Sequence, residues 1–256
     1  MSHYVDLNSD LGESFGNYTL GMDSEVLNHV TSANIACGWH AGDPLIMDAT
    51  VRICKEKGVA VGAHPGYPDL MGFGRRAMAV SPAEAKAYMM YQLGALQAFC
   101  DSYDITLQHM KLHGAFYNTA CVTPVLADAI LDGLQAVNPN IAAMVLSGSY
   151  IAKEGERRGI PVIQEVFADR GYTDEGTLVP RTEPGAFIKD PQEALERVLM
   201  MVTKGKVVTN TGKTIDIVAD SVCVHGDNPE AIAFTNYIRE GLTKAGVTVA
   251  NFQNRK

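Results

Sequence analysis

The sequence predicts an α/β fold, a single closed barrel of parallel strands wrapped by helices over residues 1–256. Three observations predict it. Strand-like and helix-like segments alternate from end to end, and that alternation implies a parallel sheet. The strand segments are apolar nearly throughout, which suits strands buried on both faces. Titratable side chains then stand where the apolar runs stop. Groups at the C-terminal ends of several parallel strands converge on one mouth of a barrel. A chain of 256 residues, 46% hydrophobic, suffices for one such core without a second domain.

Seven core strands are expected: Tyr4–Asn8, Thr31–Cys37, Val59–Ala63, Leu107–Leu112, Ala142–Leu146, Val162–Phe167 and Val222–Val224. Between them, helix starts are written as a capping residue followed by proline: Asp43-Pro44, Ser81-Pro82, Thr123-Pro124, Asp190-Pro191 and Asn228-Pro229. The cap oxygen accepts an orphan backbone N–H, and proline has none to satisfy. Ser81 with Glu84 forms a capping box. Helix stops are expected at Gly58, Gly159, Gly205 and Gly246. Two irregular parts stand out, a Gly/Pro-rich loop over Gly66–Met78 and a hairpin over Lys206–Val218 turning at Asn210-Thr211-Gly212-Lys213.

Composition excludes several functions. A net charge of −8 argues against nucleic-acid binding, whose footprint is a basic face. A small anionic substrate stays admissible, because a local Lys/Arg cluster outweighs a distant acidic field. No apolar run approaches the ~20 residues of a membrane helix, and no signal peptide is expected, because no basic segment followed by an apolar one stands near the start. The five cysteines form no C-x-x-C pair, so reduced thiols and a cytoplasmic location are expected. Gly212-Lys213-Thr214 is no P-loop, because Val207 stands where the motif needs glycine. Gly72–Ala77 follows a loop rather than a strand and is no dinucleotide fingerprint. His3, His29 and His109 are read as structural or solvated.

The candidate chemistry lies at the strand ends. Asp6, Asn8 and Asp10 alternate on the first strand and share a face. Two carboxylates there push their pKa values apart, so that one serves as a base; the alternative is a hydrogen-bonded strand with a solvated Asp10. His40, His64, His113 and His225 each end an apolar run. Asp43 beside His40 is read mainly as a helix cap, and Glu13 lies in the loop after the first strand. Lys111 is a lone lysine in an apolar strand, and its burial needs an anion or a carboxylate partner; a structural salt bridge is the plainer reading. Glu165 points into the barrel, Asp169 follows it, and Arg170 is a candidate bidentate clamp for a substrate carboxylate. Asp227 supplies one more acid, and the helix start at Asn228 is a candidate phosphate site. The catalytic candidates are therefore Asp10, His40, His64, Lys111, His113 and Glu165. The substrate-binding candidates are Asp6, Asn8, Asp169, Arg170, His225 and Asp227. Asp10, His40 and His64 are ligand types that zinc accepts, but no two share an element at ligand spacing. The sequence thus assigns no metal, and no tightly bound transition metal is expected.

These segments together resemble the LamB/YcsF family. The stretches that carry the resemblance are Asp6–Glu13, Asn34–Asp43, Gly62–Tyr67, Lys111–Asn118, Glu165–Arg170 and Val224–Pro229, in order along nearly the whole chain. A proline is usual in the family where Leu112 stands, and a leucine where Phe116 stands. The resemblance implies an irregular seven-stranded β/α barrel, TIM-like and of the glycoside hydrolase/deacetylase type. It implies ATP-dependent opening of 5-oxoproline (pyroglutamate) to L-glutamate, together with two partner subunits, B and C. ATP with Mg²⁺ would be the cofactor, bound wholly or partly by the partners, since this chain carries no nucleotide motif. Two rival readings follow the residues: a metal-dependent deacetylase-like hydrolase, by analogy of fold, and a non-enzymatic subunit that positions partners. The oligomeric state is left open, a homo-oligomer included.

Overall fold

The computed structural model describes residues 3–226 and 228–252. The chain begins with β1 (Tyr4–Leu11), the short α1 (Asp23–Val26), β2 (Ser32–Ala36), α2 (Pro44–Lys57), β3 (Ala60–His64) and α3 (Pro82–Ser102). It continues through β4 (Leu107–Met110), α4 (Gly114–Val122), α5 (Pro124–Val137), β5 (Ala142–Leu146), α6 (Tyr150–Arg157) and β6 (Val162–Phe167). α7 (Pro191–Lys204), β7 (Lys206–Val208), β8 (Thr214–Asp216), β9 (Ser221–Cys223), α8 (Pro229–Lys244) and β10 (Thr248–Val249) complete it.

Seven of these strands close a parallel barrel in the order β1-β2-β3-β4-β5-β6-β9, and β9 pairs back to β1 through Asp6↔Ser221 and Asn8↔Cys223. β10 adds a two-residue parallel pairing at the start of β1. β7 and β8 form the expected antiparallel hairpin outside the barrel. The strands are short and apolar on the outward side, where Val5, Leu7, Ala33, Ile35, Val61 and Val222 pack under the helices in one continuous core.

The helices start where the capping residues stand. Asp43, Ser81, Asp190 and Asn228 each accept backbone N–H groups of the first turn. Thr123 is the exception: its side chain makes no cap hydrogen bond, because it also ends α4 and its backbone is shared between the two helices. Gly58 and Gly205 cap α2 and α7 in the left-handed conformation. α6 and α8 instead cap at Arg158 and Ala245, each one residue before the expected glycine, Gly159 or Gly246. Among the described residues, no single helix is long and apolar enough to cross a membrane.

The barrel interior is polar and layered. Side chains alternate along a strand, so each strand presents every second residue inward. Asp6, Ser32 and Ser221 form a lower layer joined by hydrogen bonds. Asn8, Asn34 and His109 form a middle one. Asp10, His64, Lys111 and Glu165 form the upper one, at the C-terminal ends of the strands. Gly62 makes the middle layer fit, since a Cβ there would collide with the His109 ring.

Candidate active site

The upper layer opens into a cavity of about 400 Å³, within the range of small-molecule sites. Three loops wall it. The turn after β1 contributes Glu13 and Leu20; residues 65–81 contribute Phe73 and Arg75; residues 168–190 contribute Arg170, Leu178 and Arg181. The last of these loops was not marked in the sequence. It is held by single bridges, Arg170 to Phe187 and Tyr172 to Leu178.

Lys111 is the centre of the upper layer. Its ammonium lies 2.8 Å from Glu165 and 3.0 Å from Asp10, and also reaches Asn8 Oδ1 at 3.2 Å. Burial alone would discharge it, but Asp10, Cys223 and Glu165 hold its pKa well above that of a free lysine. Tyr117 donates to Glu165 at 2.7 Å, completing that carboxylate. Burial would likewise raise Asp10, yet His64 and Lys111 keep it well below the ordinary carboxylate range. Asp6 goes the other way: burial raises it despite three hydroxyl donors, Thr31, Ser32 and Ser221. The two carboxyls do differ, but the causes are burial for Asp6 and the neighbouring His64 and Lys111 for Asp10, rather than mutual repulsion.

Three histidines gather beside Asp10. His64 and His113 touch at 2.9 Å between Nε2 and Nδ1, His40 stacks on His113 at 3.7 Å, and Glu13 reaches both His40 Nε2 (3.2 Å) and His113 Nδ1 (3.6 Å). Burial lowers His40 well below the usual imidazole value and His113 to about 3. Across the cavity, His225 Nδ1 pairs with Asp169 at 2.9 Å. Burial would raise Asp169, but His225 outweighs it and the carboxyl ends lower.

Of the candidates named from the sequence, Asp10, His64, Lys111, His113, Arg170 and His225 line the cavity. His40 and Glu165 sit immediately behind that wall, fully buried. Asp6 and Asn8 lie below the cavity lining. They occupy lower layers, where their inward-facing side chains are consumed by Ser221, Ser32, Asn34 and Lys111. Arg170 lines the cavity with part of its fork already engaged. Its Nε donates to the Ala186 carbonyl at 3.0 Å and a terminal nitrogen to the Val179 carbonyl at 2.6 Å, so the fork braces the 168–190 loop. The helix start at Asn228 is filled by its own carboxamide, which accepts from Ala231. Asp227 lies outside the described residues. His109 is structural as expected, held by Asn34 and Gln108.

Several site residues escaped sequence reasoning. Glu13 follows Gly12, whose left-handed backbone (φ 69°) turns the chain back over the mouth. Asn34 links Asn8 and Asp10 to His109; its signal was a polar residue alternating with Ser32 inside an apolar strand. Arg75 and Arg181 are the exposed cavity arginines. Their loops carried no periodic pattern to place them.

A polar, layered β/α barrel whose strand ends surround a cavity with paired acids, histidines and a buried lysine is the architecture of a barrel enzyme with its site at the strand ends. The LamB/YcsF family profile matches residues 5–256, and the chain belongs to that family. It is 62% identical to the A subunit of 5-oxoprolinase from Fusobacterium nucleatum, with 97% of each chain covered. It is 53% identical to the protein of the same name from Pyrococcus horikoshii, over 96% of each. Among solved structures, the lactam utilization protein of Thermus thermophilus superposes with a TM-score of 0.92 at 45% identity, covering 97% of this chain and 100% of that one. A putative cellobiose-phosphate cleavage protein from Enterococcus faecalis shares the fold alone, at TM-score 0.59 and 13% identity over 99% and 98%.

Proposed function

We propose that this chain is the A subunit of an ATP-dependent 5-oxoprolinase. It hydrolyses the cyclic amide of 5-oxo-L-proline to L-glutamate together with two partner subunits, B and C. The observation that carries the reading is the Lys111 ammonium, fixed between Asp10 and Glu165 at the floor of the cavity. The names of the full-length relatives support the substrate and the multi-subunit assembly.

A five-membered lactam is a resonance-protected amide. Transfer of the terminal phosphoryl group of Mg²⁺-bound ATP to its carbonyl oxygen makes the carbonyl carbon a better electrophile. The sequence lacks a P-loop and a Rossmann start, so that step is assigned to the partners. In this cavity water then adds to the carbonyl carbon and the ring C–N bond breaks to leave an acyl phosphate, and a second water hydrolyses that acyl phosphate to glutamate and inorganic phosphate. Lys111, held charged, faces the oxygen on which negative charge grows, where a preorganised cation counts most. Asp10, held ionised, accepts a hydrogen bond from the attacking water; its low proton affinity suits orientation more than strong base catalysis. His225, steadied by Asp169, delivers a proton to the leaving nitrogen. Arg75 and Arg181, rather than Arg170, meet the substrate carboxylate. The reading puts the chain in the cytoplasm, where ATP is available and its five buried free thiols stay reduced.

The test is reconstitution. Glutamate release from 5-oxoproline is expected only when the chain, both partners and ATP are combined. Glutamate formed by the isolated chain at the rate of the full mixture overturns the division of labour. Glutamate absent from the full mixture overturns the substrate.

A further inference from the structure

We propose that Glu13, His40, His64 and His113 form a binding site for one divalent transition-metal ion, of the zinc type, in the wall of the cavity. Hydrogen bonds to the backbone fix the tautomers of two of these rings. His64 Nδ1 lies 2.8 Å from the Lys111 carbonyl, and His113 Nε2 lies 2.8 Å from the Phe73 carbonyl. A carbonyl only accepts, so each of those ring nitrogens carries its proton. The other nitrogens, His64 Nε2 and His113 Nδ1, are therefore lone pairs in the neutral rings, yet they face each other at 2.9 Å. Around the same point stand the Glu13 carboxylate, 3.6 Å from His113 Nδ1, and the Asp10 carboxylate, 3.3 Å from His64 Nε2. His40 Nε2 closes the group at 3.2 Å from Glu13. Acceptors meeting acceptors in a buried space repel unless something positive sits between them.

The spacing fits a metal ion. Zinc bonds of about 2.0–2.1 Å set the donors of a tetrahedron roughly 3.3 Å apart, and the four donor atoms here all lie within 4.8 Å of one another. Backbone carbonyls that take the distal N–H of His64 and His113 are the usual outer partners of metal-bound imidazoles, fixing both tautomer and ring orientation. Three imidazoles and one carboxylate suit zinc better than the oxygen-seeking Mg²⁺ or Ca²⁺. Glu13, His64 and His113 line the cavity, so an ion has a path in. A second convergence, Asp10 with Cys223 and His225, is different. The Lys111 ammonium already lies 3.0 Å from Asp10 and 3.2 Å from Cys223 Sγ, and a resident cation there repels a metal.

No metal signal was legible in the sequence, because each ligand is alone on its own segment. Barrel closure brings the ends of β1, β2, β3 and β4 together, and the ligands with them. The site does not depend on the lactam reading, and its test reads metal rather than turnover. Elemental analysis of the full-length chain, purified without chelator, is expected to find about one zinc-type ion per chain. Cobalt(II) added to the chelated protein is expected to give the visible absorption of a tetrahedral site. Glu13→Gln and His113→Ala should weaken zinc binding at least tenfold, while His225→Ala, outside the ligand set, should leave it unchanged. Zinc should also raise the melting temperature of the chelated wild-type chain, a readout that needs no variant to fold. No metal on purification, with no cobalt spectrum and no thermal shift on adding zinc, overturns the proposal and leaves a proton shared by His64 and His113 as the resolution. Metal bound equally well by all the variants overturns the ligand set.

Discussion

Arg170 and Arg181 show how residue type and residue role separate. Both guanidiniums reach the cavity wall, and either satisfies the chemical requirement for holding a carboxylate. Arg170 donates to the Val179 and Ala186 carbonyls and lies over the Phe187 ring at 5.2 Å. Arg181 is exposed and also rests on Phe187, at 5.3 Å. Burial, and Arg181 beside it, lower the pKa of Arg170, while partial desolvation at the mouth, and Arg75, lower that of Arg181. A local excess of positive charge is thus concentrated at the mouth of an acidic protein, as an anionic substrate requires. In the reconstituted complex, Arg181→Ala should raise KM for 5-oxoproline severalfold with little change in kcat, the signature of lost uniform binding. Arg170→Ala should instead lower the melting temperature and loosen the 168–190 loop to proteolysis. If Arg170→Ala raises KM and leaves the loop protected, the two roles are reversed.

At the scale of elements, strands and helices fall where the sequence predicts them because each rests on a local cause. Continuous apolar runs gave the seven barrel strands, and Asp43, Ser81, Asp190 and Asn228 cap the helices they precede. What stayed illegible depends on closure. Nothing in the order of the chain places Glu13 against His113, or Tyr117 on Glu165, because those contacts form across the barrel mouth. The same limit hid the loop clamp of Arg170, whose partners are backbone carbonyls and carry no side-chain signature.

The β3–β4 layer yields a pH prediction. His109 sits fully buried where Gly62 leaves room, bonded to Asn34 and Gln108, and burial together with Lys111 lowers its pKa from 6.5 to about 3. An unfolded chain binds a proton at this residue near pH 6.5 and the folded chain does not. The contribution of His109 is therefore complete above pH 6.5 and is lost as pH falls from there toward 3. Its slope is about 1.4 kcal/mol per pH unit. His109→Gln should remove that slope, as denaturant unfolding of both proteins at pH 7, 6, 5 and 4 will show. Parallel stability curves for variant and wild type would mean that His109 is protonated in the folded chain.

At the scale of the whole molecule, the barrel organises a gradient of polarity. The lowest layer is hydroxyls around Asp6, the middle one amides around His109, and the top one ions around Lys111. Each layer fixes the one above it. Asn34 bonds Asn8 and Asp10, and Asp10 in turn faces Lys111 and His64. Such a stack is costly to bury and is sustained by mutual pairing, and it delivers a rigid floor of fixed charge to the substrate. The most direct measurement is glutamate release by the reconstituted complex carrying Asp10→Asn, a substitution that keeps shape and hydrogen bonding but removes the charge facing Lys111 and His64. A fixed-charge floor predicts that kcat falls at least tenfold, only ~1.4 kcal/mol of transition-state stabilisation, with complex assembly intact. Turnover at the wild-type rate by an assembled Asp10→Asn complex would contradict it, and would move the chemistry out of this barrel.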